Sequence, residues 1–269
     1  MKFLNALYQH INILSLDVVG GAVVSALFFG ALLRVFIPFT ALVALAFTVW
    51  IIYTLDHLQD AMTIPGIAST DRHRFHQQHF RVLFGLMLAV ALLDVVLLFF
   101  LPSAILRGGI ILGAIVLFYL IMQRYLRFLK EFFVACLYTA GIMLPAVALA
   151  GDSILPVHYL VAAKFFITAL MNLLLFSLFD YREDRHHQQH SFVTWFGQKP
   201  TRASIVVLGL LNIVSGLWLW DFDSRVAVIF VGMNVLLLTI LVLERRLLAN
   251  NLYRILGDAV FLFPVVYLL

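Results

Sequence analysis

Residues 203–220 pass without one charged side chain, as do 37–55 and 132–150, and six further apolar stretches carry only one or two. A helix needs roughly 20 apolar residues to cross a bilayer, because every backbone polar group must be satisfied inside the lipid. Nine stretches meet that standard: 13–33, 37–55, 82–101, 103–122, 132–150, 157–179, 203–220, 225–243 and 253–269. A chain that is 64% hydrophobic and 12% charged has too little polar surface to cover a water-facing globule. The expected fold class is therefore all-α: a polytopic membrane helix bundle of about nine transmembrane helices. No Gly-, Ser- or Pro-rich linker divides it, which predicts a single integral membrane domain over 1–269. The first apolar stretch lacks a small-residue cleavage pattern and reads as a retained helix.

Charge placement orients the bundle. The N-terminus and the connections after helices 2, 4, 6 and 8 carry fourteen of the eighteen Lys and Arg residues, Lys2 and Arg124 among them. Cytoplasmic loops collect positive charge, so the N-terminus and both long polar connections, 56–81 and 180–202, are expected in the cytoplasm. The membrane is then expected to be the plasma (inner) membrane, and the lipid bilayer a partner. The net charge of +4 is spread over these short segments rather than gathered in a patch, so no nucleic acid partner is expected. Cys136 stands alone, which excludes an intrachain disulfide and a cysteine metal cluster. The oligomeric state is not legible.

Two acidic pairs mark the cytoplasmic side: Asp56/Asp60 at the end of helix 2 and Asp180/Asp184 at the end of helix 6. Residues four apart share one helix face, so each pair aims two carboxylates in one direction. Their mutual repulsion calls for a cation or a basic partner. Hard oxygen ligands suit Mg²⁺, which is commonly held by one or two carboxylates together with substrate phosphates. Arg72, Arg74, Arg182 and Arg185 stand nearby and would donate charge-assisted hydrogen bonds to those phosphates. Ordinary solvated charge at helix exits is the bland alternative. Lys164 lies sixteen residues before Asp180, about 24 Å along a helix, and is expected to snorkel outward rather than share the site.

Histidines offer a competing chemistry. His73, His76 and His79 in the first long connection, with His186, His187 and His190 in the second, form an alternative set of metal ligands for iron or zinc. The segments 71–80 and 184–192 also echo each other in sequence, through either duplication of a four-helix unit or coincidence of two His-rich loops.

Nine helices with Asp-rich motifs after the second and sixth resemble the UbiA superfamily of intramembrane prenyltransferases. The family's first motif reads roughly Asn-Asp-x-x-Asp-x-x-x-Asp and its second Asp-x-x-x-Asp. The second is matched by Phe179-Asp180-Tyr-Arg-Glu-Asp184, followed by Ser191-Phe-Val-Thr-Trp-Phe-Gly197. Arg127-Phe-Leu-Lys130-Glu131 through Gly141 is similar to the family's loop and fifth helix. The first motif departs, with Ile52 and Tyr53 where Asn and Asp are expected. The resemblance implies a Mg²⁺-dependent enzyme that transfers an isoprenoid group from a prenyl diphosphate to a hydrophobic acceptor, aromatic or lipid-like. It implies Asp56, Asp60, Asp180 and Asp184 as catalytic and metal-binding residues, with Lys130 beside the diphosphate; Asn172, two turns before Asp180, would join it there or make an interhelical hydrogen bond. Tyr53, one turn before Asp56, would turn its π face to an allylic cation or simply pack. A UbiA-type terpene cyclase, a His-ligated membrane oxidoreductase and a non-catalytic transporter or scaffold stay open as alternatives.

Overall fold

The computed structural model describes residues 10–64, 66–68, 70–123, 125–186, 190–248 and 252–269, save the side chains of Asp71 and Asp152. Lys2, Arg124 and His187 lie outside the described residues. The long helices are α1 Leu16–Leu32, α2 Phe39–Thr63, α4 Phe80–Leu98, α5 Ser103–Met122, α6 Lys130–Ala150, α7 Pro156–Phe179, α10 Gln198–Leu217 and α11 Ser224–Val242. Short helices join them: α3 Asp71–Gln78, α8 Tyr181–His186, α9 Phe192–Phe196 and α12 Glu244–Leu247, with α13 Leu252–Ala259 and α14 Val265–Leu268 at the end. The bundle is all-α, as expected.

Among the described residues seven helices are long and apolar enough to cross a membrane, and the chain is an integral membrane protein. The other two expected spans differ. Helix α1 is apolar but only 17 residues long, and the stretch after Leu252 is broken by a 3₁₀ turn at Val260–Leu262. Pro264 caps the final short helix and supplies no backbone N–H to continue the ladder.

Local signals set the helix starts. Pro156 opens α7 at a position where a missing N–H costs nothing. The Thr70 hydroxyl accepts from the His73 amide at 3.2 Å and starts α3. Asp223 accepts from the Arg225 amide at 2.9 Å and starts α11. Gly197, at φ 88°, makes the sharp passage from α9 to α10 that a side chain would strain.

Helix α7 lies at the centre, packed against α6, α10 and α11, while α4 and α5 sit at the periphery against α2 and α6. Helix α1 packs against α2, α6 and the C-terminal turns. Edge-to-face aromatic rings line the inner face of α1, Phe28 on Phe29 at 5.1 Å and Phe29 on Phe165 of α7 at 5.4 Å. The outer helices keep their leucines and valines exposed toward the lipid.

Lys164 does not snorkel. It is 1% exposed, and its ammonium donates to the Asn212 carbonyl (2.7 Å), Asn212 Oδ1 (3.1 Å) and Ser215 Oγ (2.8 Å). Asn212 Nδ2 in turn donates to the Lys164 carbonyl and to Thr168 Oγ1, both at 3.1 Å, and to Asn234 Oδ1 at 3.2 Å. Three acceptors satisfy the three ammonium donors, so α7, α10 and α11 are joined by polar groups where lipid offers none.

Candidate active site

Helix α2 continues well beyond its apolar run, to Thr63. Tyr53, Asp56, His57 and Asp60 therefore follow one another at helical spacing along one face. The first three line a cavity of about 240 Å³ between α2, α6, α7 and α13. Arg72, Lys130 and Arg254 line it too, beside Asp258. Tyr119, Tyr138, Phe176 and Phe261 supply aromatic surface to the same cavity.

The second pair stands where α7 gives way to α8. Asp180 caps α7, and the Asp184 amide donates to the Asp180 carbonyl at 2.9 Å, so the i,i+4 relation persists across the junction. Both Asp180 oxygens are engaged. Oδ1 accepts from the Tyr253 hydroxyl, and Oδ2 accepts from Arg254 Nη2 in an ion pair. Arg254 Nε also donates to the Tyr253 oxygen at 3.2 Å, which closes a three-membered cluster. The Tyr253 ring stacks on Phe179 at 4.7 Å and fixes α13 against α7.

Asp184 Oδ2 accepts from Ser191 Oγ at 2.8 Å. Burial pushes the Asp184 carboxyl up to about 6; the Ser191 hydrogen bond opposes the shift and the Asp180 charge adds to it. Ser191 sits at the N-cap of α9, and Glu131 Oε1 accepts from the following Phe192 amide at 2.8 Å. The Ser191–Gly197 stretch thus holds Asp184 in place. Across the mouth, the charges of Asp60 and Asp184 interact, and the Lys130 ammonium interacts with Asp56, Asp60 and Asp184.

The expected diphosphate residues divide. Arg72, Lys130 and Asn172 line the cavity. Arg74 is turned aside, with Nε donating to the Ala68 carbonyl at 3.3 Å. Arg182 and Arg185 are exposed on α8, where Arg185 donates to Tyr181 Oη at 3.2 Å; neither lines the cavity.

Arg72 organises the inner wall. It donates to His57 Nε2 at 3.2 Å and to Asn12 Oδ1 at 3.0 Å. Because a guanidinium only donates, His57 Nε2 is the acceptor and the neutral ring carries its proton on Nδ1. That Nδ1–H has no partner among the described residues, and neither do Asn172 Oδ1 and Tyr138 Oη on the same cavity.

The histidines spread out. His76 Nδ1–H donates to the Arg72 carbonyl (2.9 Å) and His79 Nδ1–H to the Phe75 carbonyl (3.0 Å), each four residues back along α3. Burial and the Arg254 and Arg72 charges bring His73 down to about 4, so it is neutral at pH 7. His186 and His190 are exposed on the other connection. Among the described residues no three His, Cys, Asp or Glu side chains group to hold one metal ion. A Mg²⁺ ion bridged to a diphosphate needs only one or two carboxylates from the protein, and the all-oxygen donors of these pairs fit it.

Arg254, Asp258 and Asn12 join the site from segments far in sequence from both acidic motifs. Asn12 Nδ2 donates to Asp17 Oδ2 at 2.6 Å and to Asp258 Oδ2 at 3.2 Å, so the N-terminal segment and α13 meet behind the cavity. One signal was available: Arg254 and Asp258 are two charges four apart inside an apolar run, where ionisable residues need a purpose.

A UbiA homolog from Archaeoglobus fulgidus, in a structure bound to DMAPP and Mg²⁺, matches this fold with a TM-score of 0.64. The match covers 96% of this chain and 99% of that one, at 12% sequence identity. No family model and no curated protein matches the sequence. The agreement spans the whole helix order while almost all residues differ, and it establishes the architecture: this chain is a divergent protein of the UbiA fold.

Proposed function

We propose that the chain is a Mg²⁺-dependent intramembrane enzyme of the UbiA type that takes a prenyl diphosphate and transfers its isoprenoid group to a hydrophobic acceptor. One observation carries the reading: a single cavity is lined both by Asp56, Lys130, Arg72 and Arg254 and by the rings of Tyr53, Tyr119 and Tyr138, within the UbiA fold. The homolog's bound DMAPP and Mg²⁺ support the same substrate class.

In this reading Asp56 and Asp60 on one side and Asp180 and Asp184 on the other would hold Mg²⁺. The metal would supply neutralising charge to the departing diphosphate. Arg72 and Lys130 would donate to its oxygens, taking up charge as the carbon–oxygen bond breaks. The allylic cation would then face Tyr53, Tyr119 and Tyr138, whose rings can stabilise it through their π faces while the apolar walls keep water away. Tyr53 replaces a family carboxylate, which moves the first motif from metal binding toward cation contact. The whole chain acts as one membrane domain, with the N-terminus and both acidic pairs on the cytoplasmic side of the plasma membrane.

The test is release of inorganic diphosphate by the purified protein from prenyl diphosphates of several chain lengths, with and without Mg²⁺. Mg²⁺-dependent release is expected. Bound iron without diphosphate turnover would instead favour the His-ligated oxidoreductase.

A further inference from the structure

Asp180 is the best-matched acidic residue of the site, yet neither of its oxygens is open. Tyr253 holds Oδ1, Arg254 holds Oδ2, and Arg254 is braced by its own Nε contact to the Tyr253 oxygen. The guanidinium is poised rather than locked away. It lines the cavity where the diphosphate would sit, and its Cζ lies 5.6 Å above the Phe176 ring centroid. One turn along α13, Asp258 lines the same cavity, so a guanidinium leaving Asp180 keeps an acidic neighbour on its own helix face.

We propose that Arg254 is a stand-in cation: it occupies Asp180 until a diphosphate arrives, then transfers to the diphosphate oxygens and frees Asp180 for the metal. This rests on the prenyl-diphosphate reading above and adds an order of events to it. A carboxylate pair without its metal carries uncompensated repulsion in a poorly solvated place, and an arginine on one member removes it. A dianionic diphosphate offers the planar fork two oxygens at once, so the exchange replaces one charge-assisted pair by another. The consequence is that metal alone competes with Arg254, whereas metal with diphosphate does not. Arg254 acts on the metal through Asp180 and is in that respect a positioning residue.

The experiment compares the full chain with Arg254→Gln and Tyr253→Phe, reading Mg²⁺ affinity by calorimetry with and without a non-hydrolysable prenyl diphosphate analogue. Wild type should bind Mg²⁺ alone weakly and more tightly once the analogue is bound. Removing the competing state should raise Mg²⁺-alone affinity roughly ten-fold in Arg254→Gln while analogue affinity falls. Tyr253→Phe, which releases Oδ1 and keeps the ion pair, should show a smaller gain and serves if Arg254→Gln does not fold. Unchanged or weaker Mg²⁺ binding in folded variants overturns the stand-in role. Analogue binding by wild type in the same experiment separates that failure from failure of the substrate assignment.

Discussion

Arg254 reaches back 74 residues to form an ion pair with Asp180. The contact ties the C-terminal turns to the end of α7, the central helix of the bundle, and brings a cationic side chain into the cavity mouth. Together with Lys130 near Asp56 and Asp60, it gives each acidic pair a resident cation. The two cations offset part of the carboxylate charge without metal and stand ready to exchange partners with a polyanion.

The pH dependence of metal binding should follow Asp184. Its folded-state value of about 6 lies above the ordinary 3.8, so the fold holds this proton more tightly than the unfolded chain does. The stabilisation that goes with the proton is fully present below pH 4 and is lost as pH rises through about 6. Mg²⁺ competes for the same oxygens, so its affinity should weaken as pH falls through that range. Calorimetry at about pH 5 and about pH 7.5 checks this. Ser191→Ala, lacking the hydrogen bond that favours the carboxylate, should move the midpoint upward.

Gly257 allows α13 to approach α7 closely. A Cβ there would stand 2.6 Å from Asn172 Oδ1 and 2.6 Å from Phe176 Cε1. Gly257→Ala should therefore push α13 away, costing about 1–3 kcal/mol and displacing Arg254 and Asp258 from the cavity. A lowered Tm together with weaker binding of the diphosphate analogue is the expected pair of results.

Lys164→Met tests the polar junction of α7, α10 and α11. Removing the ammonium leaves Asn212 and Ser215 oxygens without their donor, at a cost of about 1–3 kcal/mol. The position is far along α7 from Asp180, so Tm should fall while diphosphate affinity in the surviving folded protein stays unchanged. A loss of affinity at constant Tm would tie Lys164 to the site.

The membrane bundle was legible because apolar runs of span length leave the backbone few alternatives. The acidic pairs were legible as well, since an i,i+4 spacing is a local property of a helix. What escaped were contacts between distant segments. Lys164 looks like a snorkelling residue until Asn212 and Ser215, on α10, meet it; nothing in its own neighbourhood announces them. Arg254 reads as a stray charge at the start of the last apolar run until Asp180 is beside it. Arg182 and Arg185 show the converse: they are close to the motif in sequence, but α8 turns them to solvent.

The most direct measurement is inorganic diphosphate release by wild type, Asp60→Asn and Asp184→Asn with Mg²⁺ and a prenyl diphosphate. Each Asn variant keeps the side-chain shape and removes a charge aimed at the mouth. The account predicts Mg²⁺-dependent release by wild type and a fall of roughly 100-fold or more in each variant. Release that persists in both variants, or that proceeds equally well without Mg²⁺, would contradict it.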